Sequence, residues 1–171
     1  MKTIALAAAA ASLAFAGAAA AQAAPAKNWK PPAHEIYAQK LSDETMAAHP
    51  ELQSVTFHGT PPGEKDIYTM FAGSYPERIG NPDDPDDIDV IKKGITLIDP
   101  RWHRTNDAVK RFVVQEPLRD RSGENIGLIV YAFKTANGSK GEQYYTQAAM
   151  KMRDQLAPKI PSYAALFEPA K

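Results

Sequence analysis

The chain has 171 residues, 20 basic and 20 acidic side chains and four histidines, giving no net charge at neutral pH. Nucleic acid and anionic membranes are held by clustered positive charge, so neither is an expected partner. The absence of cysteine excludes disulfides, thiolate metal sites and cysteine nucleophiles.

Met1-Lys2 opens the chain with one positive charge, and Ile4 to Ala21 then carries none. The run is mostly alanine, weighted by Ile4, Leu6, Leu13 and Phe15, and Ala21-Gln22-Ala23 follows. Charged start, apolar core and A-x-A exit are the layout of a secretory signal peptide. The run is about long enough to anchor in a bilayer, but alanine is a weak membrane residue and the cleavage sequence is well formed. A cleavable leader over residues 1–23 is therefore expected, with no span left after cleavage and the bacterial periplasm as destination. Its removal takes away Lys2 and no acid, leaving 19 basic against 20 acidic side chains. What remains is the size of one domain.

Residues 24–32 read as an extended lead-in, because Pro31 and Pro32 cannot donate to a ladder. From Ala33 to about Ala48 the spacing of Ile36, Tyr37, Leu41 and Thr45 predicts a helix, ended by His49-Pro50. Gln53 to Gly59 alternates, with Val55 and Phe57 on one side and Ser54, Thr56 and His58 on the other. That is a half-buried strand. Turn residues from Thr60 to Lys65 lead to a second strand, Ile67 to Ala72, so the two form a hairpin with a long loop. Gly73 to Asp83 is loop.

Asp84-Pro85-Asp86-Asp87 starts a helix, with an acid at the N-cap, proline at the first position and acids over the positive end of the dipole. Lys92-Lys93-Gly94 ends it, with cations near the last carbonyls and glycine beyond. Ile95 to Ile98 is a brief strand and Asp99 to Asp107 a polar and aromatic loop. Val109 to Leu118 is a strand, Arg119 to Asn125 a turn, and Ile126 to Lys134 the most apolar strand. Apolar residues on both its faces put that strand in mid-sheet. Asn137 to Gly141 turns the chain into a helix from Glu142 to about Leu156, closed by Pro158 and Pro161. The fold class is therefore α+β, with hairpin-linked antiparallel strands and helices packed on the sheet. One domain, residues 33–171, holds all of it.

Two stretches, Pro117 to Leu128 and Arg78 through Ile88, together with this element order, are similar to the extracytoplasmic single-Cache family, relatives of PAS domains. The resemblance spans residues 33–156. It implies a five-stranded antiparallel sheet with N-terminal, connecting and C-terminal helices, the connecting ones between the second and third strands. It also implies a ligand cavity walled in part by the stretch before the third long strand. Family members usually carry a second transmembrane segment and an output domain, which this sequence does not. A secreted small-molecule-binding sensory or accessory module, acting through a membrane-bound receptor or sensor kinase, is what the resemblance implies here.

Candidate chemistry is sparse. No histidine stands at i, i+4 with another, no H-E-x-x-H occurs, and the acids Asp83 to Asp89 miss the EF-hand pattern at its sixth and twelfth positions. A capped helix start explains those acids, so no metal and no cofactor is expected. There is no G-x-S-x-G elbow and no phosphate loop, so no catalytic residue is assigned. The segment Asp99-Pro100-Arg101-Trp102-His103-Arg104 is the most unusual in composition. Arg101 suits a carboxylate-like group and Trp102 an apolar wall, with His103 beside them. Tyr68 and Tyr131, on strands with apolar neighbours, are candidates to present hydroxyls to the same cavity. Two alternatives stand beside the sensor: a metal- or haem-related accessory protein using His58 or His103, and a hydrolase.

Overall fold

In the computed structural model, residues 25–103, 108–135 and 140–171 are described, the His103 side chain excepted. The expected leader over 1–23 and most of the turn after Thr135 lie outside the described residues. No helix among the described residues is long and apolar enough to cross a membrane.

The chain runs α1 (Tyr37–Ala48), β1 (Leu52–Gly59), β2 (Thr69–Gly73), α2 (Pro85–Lys93), β3 (Leu97–Pro100), β4 (Arg111–Arg119), β5 (Asn125–Lys134) and α3 (Glu142–Leu156). The strands form one sheet in the order β2-β1-β5-β4-β3, antiparallel at every pairing. The most apolar strand, β5, lies at its centre, between β1 and β4. An α+β fold with a five-stranded antiparallel sheet, an N-terminal helix and a helix between the second and third strands is what the resemblance to single-Cache domains implied.

Alternation decides what each face of the sheet meets. Val55 and Phe57 of β1, Phe112, Val114 and Leu118 of β4, and Ile129, Tyr131 and Phe133 of β5 all enter one core cluster, with Leu41, Tyr145, Ala149, Met152 and Leu156 from α1 and α3. An irregularity in the β1–β5 register between Leu52 and Ser54 lets Leu52 join that side too. The opposite face carries Ser54, Thr56 and His58, which line a hollow with Val113, Gln115, Val130 and Ala132. Over this second face lies α2, which packs on β5, β4 and β1. The sheet is thus covered on both sides, but by different chemistry: a greasy two-helix layer on one side and one short acidic helix on the other.

Several boundaries differ from the sequence expectation. α1 starts at Tyr37 instead of Ala33, because the residues before it pair with the C-terminal tail. Ile36 forms a bridge with Pro169, Tyr37 N–H donates to the Glu168 carbonyl at 2.8 Å, and Ala170 N–H donates to that of Glu35 at 2.9 Å. The lead-in is likewise tied down, with Asn28 N–H donating to the Gly80 carbonyl at 2.9 Å. β3 sits two residues later than expected and ends at Pro100, which an edge strand tolerates. β4 begins at Arg111, leaving Val109 exposed. α3 has the expected bounds.

Candidate functional site

The hollow between the second sheet face and α2 has a volume of about 350 Å³. Its floor comes from three neighbouring strands, since Thr56 pairs with Val130 and Val130 with Gln115, setting the three side chains in one row. Ser54, Ala132 and Val113 make the next row. Tyr75, Glu77 and Arg78 from the turn after β2, Arg101 from the segment after β3, and Arg111 from β4 supply the walls. Asp84, Asp86 and Asp87 line it from the start of α2.

α2 is placed by its own ends. Asp87 accepts from the Asp84 backbone N–H at 3.3 Å, Pro85 takes the first helical position, and Gly94 closes the helix in the left-handed region at φ 64°, where a side chain is costly. The helix is held to the sheet by polar contacts: Gln115 Nε2 donates to Asp87 Oδ1 at 2.7 Å, and Asn125 Nδ2 donates to the Ile91 carbonyl at 2.8 Å.

Under the start of α2 lies a buried polar relay. His58 Nδ1 is 2.7 Å from Asp83 Oδ1 and its Nε2 is 2.7 Å from Thr56 Oγ1. Their side chains are 7% and 1% exposed for His58 and Asp83. Burial alone pulls the His58 imidazole down. The hydrogen bond to Asp83 and the charges of Asp83 and Asp87 outweigh it and raise it above its ordinary value. Burial pushes the Asp87 carboxyl up, against the pull of His58. These charges favour the protonated imidazole, which in that form donates from both nitrogens, to Asp83 and to Thr56.

The five residues singled out from sequence separate in the structure. Arg101 does line the hollow, with its Nε 3.0 Å from Asp99 Oδ2. Trp102 faces the other way: its ring stacks on Phe112 with centroids 4.9 Å apart and lies 6.0 Å from Tyr145. Adjacent residues of a short 3₁₀ turn (101–103) cannot share a direction, so the pair divides between the two faces. Tyr131 also sits on the α3 side, fully buried in the core, because odd-numbered positions of β5 point there. Tyr68 precedes β2 and does not line the hollow; Lys92 Nζ stands 5.0 Å from its ring centroid. The His103 side chain lies outside the described residues.

The relay of Thr56, His58 and Asp83 was not put together from sequence. Asp83 is 25 residues from His58, and only the hairpin brings it back. A pointer was available: β1 places Ser54, Thr56 and His58 on one side, and a helix over that side makes them buried polar groups that need partners. A groove of about 370 Å³ beside α3, lined by His49, Glu51, Tyr144 and Lys151 among others, holds exposed groups and no such relay.

Among solved structures, the chain is similar to a type II free methionine-R-sulfoxide reductase from Thermoplasma acidophilum. Identity is 15%, 70% of this chain and 86% of that one are covered, and the TM-score is 0.47. It is also similar to the sensor domain of DcuS from E. coli, at 15% identity, 66% and 71% coverage and a TM-score of 0.38. No family model matches the chain, and no curated protein matches it in sequence. At such distances the likeness assigns no activity.

Proposed function

We propose that this domain is a sensory or accessory module that binds a small organic molecule in the hollow between the central strands and α2. The observation that carries the reading is the make-up of that hollow. A part-apolar floor over the middle of the sheet is walled by Arg78, Arg101 and Arg111 and by the α2 acids Asp84, Asp86 and Asp87. Concave sites with a few convergent polar groups are where small ligands bind. The arginines suit a carboxylate-like group, since a guanidinium matches a carboxylate in two-point geometry. Ligand contacts with both α2 and the 75–78 turn would tie these segments together, altering the surface offered to a partner. A membrane-bound receptor or sensor kinase in the periplasm, reached by way of the leader, is the partner this role calls for.

A thermal-shift screen of the protein against small organic acids and matched amines tests the reading. A ligand at about a hundred times its dissociation constant adds about 2.7 kcal/mol, which raises Tm by several degrees for a domain of this size. The expected result is stabilisation by one or more acids that Arg101→Ala abolishes. Stabilisation unaffected by Arg101→Ala, or none by any acid or amine, contradicts it.

A further inference from the structure

We propose that His58, Asp83 and Asp87 form a binding site for one divalent first-row metal ion, beneath the first turn of α2 and beside the hollow. Each of the three offers one ligand atom, and these atoms lie within 4.8 Å of one another. Ligands about 2.0–2.2 Å from a shared ion stand about 3–4 Å apart, so a small closure of the existing triangle is sufficient. Each residue comes from a different segment: the end of β1, the loop after β2 and the first turn of α2. The site is therefore set by the tertiary fold and not by a local run of acids.

Two further observations point to a cation. The Asp83 side chain is 1% exposed, yet its Oδ2 has no hydrogen-bond partner among the described residues. A carboxylate oxygen stripped of water and left bare is costly, and a metal ion is one group that satisfies it. The surroundings also resemble an outer coordination shell. Thr56 Oγ1 stands 2.7 Å from His58 Nε2 and fixes the ring orientation, with Nδ1 turned to Asp83. Gln115 Nε2 donates to Asp87 Oδ1 at 2.7 Å, orienting the second acid. Ligating histidines and carboxylates are held by such partners. Without the ion, a proton between His58 Nδ1 and Asp83 Oδ1 occupies the position that the ion would take. Arg78 acts on His58 as a second cation, but from an exposed side chain.

One imidazole nitrogen with two carboxylate oxygens selects the metal class. Calcium and magnesium favour all-oxygen sets and Cu(I) favours sulfur, whereas Mn²⁺, Fe²⁺, Co²⁺ and Zn²⁺ accept mixed nitrogen and oxygen. Three protein ligands leave a coordination position for water or for a ligand entering from the hollow, which His58 and Asp87 also line. The inference does not depend on the organic-ligand reading, since Arg101 plays no part in it.

The test is Zn²⁺ titration of the 15N-labelled full-length protein followed through the histidine ring nitrogens, with stoichiometry from equilibrium dialysis. The expected result is one Zn²⁺ per chain, a large shift of the His58 Nδ1 resonance, and His34 and His49 unmoved. Asp83→Asn should weaken binding at least 30-fold, Thr56→Val about 10–100-fold, and Arg101→Ala and Asp86→Asn less than threefold. No binding at one equivalent, shifts at His34 or His49 without His58, or unchanged affinity in Asp83→Asn overturns it. The His58 resonance is read in the parent protein, so the result stands even if a variant fails to fold.

Discussion

Glu116 lies on β4 with its side chain fully withdrawn from water, 3.5 Å from Arg153 Nη1 of α3. Neither of its carboxylate oxygens, nor the hydroxyl of Tyr131, has a hydrogen-bond partner among the described residues. Burial raises the Glu116 carboxyl from 4.5 to about 7, with Arg153 opposing the rise. The folded protein therefore keeps this proton up to about pH 7, while an unfolded chain loses it near 4.5. Stability is fullest below the lower value and declines as pH rises through the window between them, by about 3 kcal/mol in all. Urea melts between pH 4 and 8 should show that decline, and Glu116→Gln should remove most of it. A parent and variant with parallel profiles would contradict the assignment. Tyr131 invites the complementary change. Its hydroxyl is buried with no hydrogen-bond partner among the described residues, so Tyr131→Phe should leave stability within about 0.5 kcal/mol of the parent or raise it. The same variant should leave ligand binding untouched, because the ring belongs to the α3 side.

At the scale of the element, α2 is the piece whose sequence says most. Acid, proline and further acids at one end, two lysines and a glycine at the other, specify a nine-residue helix with its bounds. Its hold on the chain should be measurable: Asp84→Ala loses the cap at a cost of about 1 kcal/mol by chemical denaturation. A cost near zero would mean that the neighbouring acids supply the same role. β5 was legible for another reason, since apolar residues at successive positions fit only a strand covered on both faces. α1 was less so, because the pairing of residues 35–37 with 168–170 joins the two ends of the domain and leaves no local trace. The site was legible only in part. Alternation in β1 set Thr56 and His58 apart from Val55 and Phe57, and Arg101 was marked by its odd surroundings. Which face Tyr131 takes depends on the parity of β5 within the assembled sheet, and which face Trp102 takes depends on a turn geometry that spacing does not encode. The Asp83 contact depends on where the β1–β2 hairpin returns the chain.

For the molecule as a whole, the two sides of the sheet divide the work. α1, α3 and the aromatic cluster around Phe57, Phe71, Phe112 and Tyr145 supply the burial that holds a cysteine-free domain together. The opposite side carries the polar residues and is covered by one short helix, leaving space beneath it. Gly127 shows how tightly β5 is seated between its neighbours: a Cβ there would fall 2.7 Å from the His58 carbonyl oxygen, so the backbone under the relay admits no side chain. The central claim is that this polar side, and not the α3 side, receives the ligand. Backbone chemical-shift mapping with the most stabilising organic acid tests it directly. The account predicts perturbations gathered on Thr56, Arg101, Gln115 and Val130 and on the first turn of α2. Perturbations gathered instead on α3 and the Glu51–Tyr144 groove would contradict it.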